Sequence, residues 1–171
     1  MRYLLLVTLL LISFSCSHPV DKKRIIDSEK FDEIISKKEK TLVYIWTTWC
    51  SGCRKSLEKT LPKLIQDINE EEYQLLLIAV SKNRAEVDSL VEASGLNNNS
   101  YFLNFIGPDK GKFQSIGIRQ FLNSNFPNEK IFTGGIPVFF LVNRDKEILV
   151  YKLPHSYDEV MGVITKNPLA K

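Results

Sequence analysis

The stretch Leu42-Val-Tyr-Ile-Trp46-Thr-Thr-Trp49-Cys50-Ser-Gly-Cys53-Arg54 decides the fold of this chain. Thr41 to Thr47 is almost continuously apolar, which predicts a strand buried on both faces, as in the middle of a parallel sheet. Beyond the cysteines, Leu57, Leu61, Leu64, Ile65 and Ile68 recur at helical spacing and predict a helix lying on that sheet. The two thiols therefore fall where a strand hands over to a helix. A helix N-terminus stabilises a thiolate, so the placement suits reversible disulfide chemistry. Pro62, inside the helix, removes one backbone hydrogen bond and predicts a kink.

Upstream, Asp27 and Ser28 are helix-start residues, and Phe31, Ile34 and Ile35 carry a first helix to about Lys38. Downstream, Gln74 to Val80 reads as a second buried strand. Val87, Leu90 and Val91 mark another helix, closed by Gly95 as a left-handed cap. Strand, helix, strand, helix implies a parallel sheet. Residues 97–135 form an aromatic-rich region holding Tyr101, Phe102, Phe105, Phe113, Phe121, Phe126 and Phe132. Its pattern predicts a strand near Tyr101 to Phe105 and a helix near Ile118 to Asn123, with aromatics that either complete the core or line a client groove. Pro137 to Val142 and Glu147 to Leu153, joined by Asn143-Arg-Asp-Lys146, read as an antiparallel hairpin. Ser156-Tyr-Asp-Glu159 is a capping-box pattern that opens a last helix through Val160, Val163 and Ile164.

With 171 residues and 44% hydrophobic composition, the chain has material for one ordinary core. A formal charge of +3 gives no electrostatic footprint for nucleic acid. The runs Asp21-Lys-Lys-Arg24 and Lys37-Lys-Glu-Lys40 read as a solvated tether and a helix end. Residues 1–15 read as an export signal: Arg2 supplies the positive start and Leu4 to Ile12 a short apolar segment, too short for an ordinary transmembrane helix. The Cys16 that follows resembles the acylated cysteine of a bacterial lipoprotein, although Ser13 and Phe14 depart from the usual lipobox. Residues 16–25 then form a lipidated cysteine and its tether, and residues 26–171 the folded domain. Lipidation of Cys16 leaves an even pair of cysteines in an oxidising compartment.

Order and spacing together resemble the thioredoxin-like fold, and specifically the exported TlpA/ResA-type thiol-disulfide oxidoreductases. The resemblance rests on Trp46-Thr-Thr-Trp49-Cys50-Ser-Gly-Cys53-Arg54 and on Gly134-Gly-Ile-Pro137-Val-Phe-Phe-Leu-Val142-Asn-Arg-Asp-Lys146. It implies a central mixed sheet with a C-terminal antiparallel hairpin and helices on both faces. It also implies that Cys50 is the nucleophile and Cys53 the resolving thiol, with no cofactor and no metal. Trp49, Ile136 and Pro137 would meet the client, across a cis Ile136–Pro137 bond, and Trp46 and Trp49 would shield the site. The implied partners are protein clients with disulfides and a membrane thiol-electron donor, the implied direction reductive, and the implied place the cell envelope.

Several positions depart from that family. Ser51-Gly52 stands between the cysteines where a Gly-Pro-like pair is common. Tyr44 replaces the buried acid of thioredoxins, Ser56 the glutamate of ResA-like proteins, and Glu58 a proline, reading as an exposed helix residue. Two other functions remain open on sequence grounds. A thiolate pair can hold Cu(I), although His18 and His155 read as surface residues and Sco-type copper chaperones use a wider cysteine spacing. The fold could also serve as a binding module with little turnover. Arg54, in the histidine position of C-x-x-C-H, excludes covalent haem attachment.

Overall fold

The computed structural model describes residues 24–129 and 135–166. Residues 1–23, and with them the leader, Cys16 and His18, lie outside the described residues, as do Phe132 and Gly134. The elements run β1 (Ile25–Ile26), α1 (Ser28–Ile35), β2 (Lys40–Trp46), α2 (Ser51–Lys55), a π turn (Ser56–Thr60), α3 (Leu61–Asp67), β3 (Tyr73–Ala79), α4 (Arg84–Ala93), β4 (Ser100–Leu103), α5 (Gly111–Asn125), β5 (Val138–Asn143), β6 (Ile148–Val150) and α6 (Tyr157–Lys166). No helix among the described residues is long and apolar enough to cross a membrane.

The six strands form one mixed sheet in the order β1-β4-β3-β2-β5-β6. β2 is parallel to β3 and antiparallel to β5. As its composition predicts, every residue of β2 is buried. Leu42, Tyr44 and Trp46 point to one face, where Cys53, Leu57, Leu61 and Leu64 cover them together with Val87, Val91, Val160 and Ile164. Val43 and Ile45 point to the other, under Phe31, Ile34, Ile118, Phe121 and Leu122. Phe31 meets Phe121 and Phe126 edge to face, and Phe126 meets Phe140 in the same way. Phe102, Phe105, Phe121 and Phe126 thus complete the core, as the sequence suggests.

Asp27 caps α1 through Lys30 N at 2.8 Å, and Gly95 takes φ +73 after α4. The boundaries shift where polar residues find partners. α1 ends at Ile35, since the chain must turn back into β2. Neither basic run is solvated throughout. Lys40 is buried with its ammonium 2.5 Å from Glu72, and Arg24 bonds Asp88 and the Ser100 carbonyl. The first strand of the described residues, β1, opens at Ile25. Pro62 sits in the first turn of α3, where a missing N–H costs little, and the distortion it imposes is taken up in the π turn before it. In the capping box, Ser156 Oγ bonds the Glu159 carboxylate directly.

α5 is the largest departure, running 15 residues where a short helix was expected. Glycine is a poor helix former and obscures the pattern at Gly111 and Gly117. Packing requires Gly117, because a Cβ there would lie 2.5 Å from the Phe105 Cβ. We expect Gly117→Ala to destabilise the protein by about 1–3 kcal/mol in urea unfolding. Gly162→Ala, with open space around it in α6, should be neutral or stabilising by up to about 1 kcal/mol. Equal midpoints for the two variants would contradict this packing.

Candidate active site

The C-terminal end of β2 and the N-terminal end of β5 lie side by side, because Ile45 pairs with Val138 in their antiparallel register. The chain leaving β2 carries Cys50, and the chain entering β5 carries Ile136 and Pro137. The register therefore brings the two segments together. Cys50 is the N-cap of α2, its sulfur accepting the Cys53 N–H at 3.2 Å, and lies 3.8 Å from the Ile136 carbonyl. The Ile136–Pro137 bond is cis, as the resemblance implies. Cys50 and Cys53 form a disulfide with Cα atoms 5.2 Å apart. Cys50 is partly exposed and Cys53 is fully buried against Trp46, Tyr44 and Leu57.

The start of the helix is held from two sides. Arg54 Nε donates to the Thr48 carbonyl at 2.5 Å, and its other end pairs with Glu86 of α4 at 2.8 Å. Ser56 Oγ donates to the Gly52 carbonyl at 3.2 Å. Glu58 is exposed, as its position in the helix suggests.

The two tryptophans part company. Trp46 is wholly inside the core, whereas Trp49 is 57% exposed beside Cys50. Its indole N–H is nevertheless fixed, donating to Gln114 Oε1 at 2.7 Å. Gln114, wholly buried on α5, donates in turn to the Val80 carbonyl at 2.8 Å and to Asp109 at 2.5 Å. Asp109 also accepts from Ser81 Oγ and the Lys82 N–H. Sequence reading missed this chain of contacts. Gln114 is one of several amides in α5, with Gln120, Asn123 and Asn125, and nothing in the sequence sets it apart.

Tyr44 is fully buried, edge-on to Phe139 at 5.2 Å. Burial pushes its phenol up to about 12, and the hydroxyl of Ser56 offsets only part of this. That neighbour misses hydrogen-bond geometry, so the Tyr44 hydroxyl has no partner among the described residues. A phenol at this position stays neutral at physiological pH and cannot act as the carboxylate base that its replacement in thioredoxins provides.

Mixed-sheet topology, a cysteine pair closed at a helix start and a cis-proline loop beside it together define a class, the thioredoxin-like proteins with a C-x-x-C disulfide. Residues 28–164 match the family described as Redoxin, and the chain belongs to that family. A thioredoxin-like protein of Haemophilus influenzae is 33% identical over 82 residues, covering 47% of this chain; the chain spans only 43% of that relative. Among solved structures, the thioredoxin domain of a thiol-disulfide oxidoreductase from Bacteroides vulgatus superposes with a TM-score of 0.55 at 18% identity, covering 77% of this chain and 80% of its own. A thiol:disulfide interchange protein from Bacteroides sp. gives 0.56 at 18%, covering 77% and 74%. A thioredoxin-related protein from Neisseria meningitidis serogroup B gives 0.54 at 13%, covering 76% and 85%. These likenesses establish the thioredoxin-like fold.

Tyr44 supplies a pH test. Folded, it keeps its proton to about 12, whereas its ordinary value is 10.0. Deprotonation therefore favours the unfolded chain as pH rises from 10 through 12, lowering stability by on the order of 2 kcal/mol across that window and changing nothing below it. Tyr44→Phe should flatten the decline in stability across that window, read by urea unfolding at successive pH values. At pH 7 it should be neutral or stabilising by about 1 kcal/mol, since it removes an unpartnered hydroxyl. Identical alkaline slopes for the two proteins would contradict this assignment.

Proposed function

We propose that this redoxin is an exported thiol-disulfide oxidoreductase that exchanges its Cys50–Cys53 pair with the disulfides of protein clients, working as a reductase. The observation that carries this reading is the bond between Cys50 and Cys53 at a helix start, with the outer sulfur partly exposed and the inner one buried. Backbone N–H groups at that helix start favour a thiolate on Cys50, which is the nucleophile of exchange. Trp49 and the Ile136-Pro137 loop flank that sulfur and form the surface a client strand meets.

In the reduced protein, the Cys50 thiolate attacks one sulfur of the client disulfide. A Cys50–client bond forms, the client's own bond breaks, and its other sulfur leaves as a thiolate that takes a proton from water. Cys53 loses its proton to water, since neither Tyr44 nor Ser56 is a carboxylate, and attacks the Cys50 sulfur. The internal disulfide closes and the second client sulfur departs. Two electrons pass from protein to client, and a membrane dithiol donor restores them. The leader pattern and the cysteine at position 16 support attachment by lipid at the cell envelope, with residues 1–15 removed and a tether leading to the domain.

Cys53→Ser interrupts the cycle after its first step. In native membranes this variant should accumulate clients linked to Cys50 and released by dithiol, while Cys50→Ser accumulates none. The same adducts in both variants, or in neither, would overturn the assigned roles.

A further inference from the structure

A hollow of ≈ 450 Å³ opens at Gly52, the residue before Cys53, between the helix that follows Cys50 and the loop leading into α6. Gly52 forms one end of it. Ser56 and Thr60 line the helix side, and His155 lines the other. Thr60 Oγ1 donates to the His155 carbonyl at 3.1 Å and holds the two walls together. The volume lies within the range of clefts that accept a small ligand or a short peptide.

Two lysines and no acidic residue line this hollow. Lys55 and Lys59 line it, and Lys63 continues the row, its ammonium 3.7 Å over the ring of Tyr157, which also lines the wall. The ion pairs among the described residues engage other groups, so none of these three lysines is neutralised by one. The nearest acids stand just outside the lining and keep their charge: Glu159 accepts from Ser156, Asp67 accepts from the Tyr157 hydroxyl at 2.5 Å, and Glu58 is exposed on the helix. His155 adds no cation at neutral pH, because burial and then Lys152 hold its imidazole below the ordinary range.

We infer that this hollow is a docking site for an acidic segment of the protein client, flanking the disulfide to be exchanged. The inference rests on the exchange function proposed above and assigns the client's chemistry. Successive lysines stand four residues apart, about 6 Å along a helix axis. Side chains on one face of an extended peptide repeat at about 6.6 Å. Carboxylates at alternate positions of an extended client strand therefore match the row, with the client cysteine reaching the sulfur end at Gly52.

The test uses the reduced full chain and three disulfide-bridged peptides of equal length. One carries Glu-x-Glu next to a cysteine, one has Gln in both places, and one carries the same two glutamates at its far end. A small neutral disulfide tests exchange itself. We expect the adjacent-acid peptide to be reduced roughly five- to tenfold faster than either of the other two at low salt, with the difference shrinking at about 0.5 M salt. The ratio should fall to near unity in the double variant K55Q/K59Q and invert in K55E/K59E. Because each protein is compared with itself across peptides, a change in overall rate does not disturb the readout. Reduction of the neutral disulfide without discrimination among the peptides would overturn the docking site and leave the exchange function standing. Discrimination that persists in both lysine variants would overturn its placement in the hollow. Failure to reduce even the neutral disulfide would remove the exchange function and the docking site with it.

Discussion

The burial of β2 on both faces is the constraint on which the other features depend. A strand with Leu42, Tyr44 and Trp46 on one side and Val43 and Ile45 on the other must be covered twice. The cover on the first side is the helix that carries the cysteines, so sealing the core and fixing Cys53 in place are one event. Lateral pairing with β5 then brings the Ile136-Pro137 loop to the same end of the sheet. Position, burial and neighbours of the disulfide thus follow from the packing of a seven-residue strand.

The aromatic-rich region of residues 97–135 serves both the core and the site. Its rings Phe102, Phe105, Phe121 and Phe126 are buried. Through Gln114 it also reaches the exposed Trp49, so the indole beside Cys50 is anchored in the interior. An amide that bridges an indole N–H, the Val80 carbonyl and a carboxylate ties the surface beside Cys50 to α5 and to the chain leaving β3. The helix carrying the cysteines is tied separately to α4 by Arg54 and Glu86.

Much of this was legible in the sequence, and the reasons are local. Continuous apolar runs identify β2 and β3, helical spacing identifies the helix beyond Cys53, and Asn143 to Lys146 identifies the turn between β5 and β6. The parts that escaped depend on distant contacts. Gly117 looks like a helix breaker until Phe105 is seen against it, and Lys40 looks solvated until Glu72 is placed beside it. Gln114 carries no signal of its own. Lys55 and Lys59 were visible as residues, but the hollow they line is formed together with the loop at His155, bonded to Thr60.

The central claim is that the bond between Cys50 and Cys53 opens and closes reversibly while the fold stays intact. The direct measurement is a redox titration of the full chain in graded mixtures of reduced and oxidised dithiol, counting free thiols by alkylation and mass. The account predicts one two-electron transition in which both cysteines change together, superimposable in the reducing and oxidising directions, with native circular dichroism throughout. A bond that yields to excess dithiol only after unfolding, or two thiols that do not rejoin under oxidant, would contradict it.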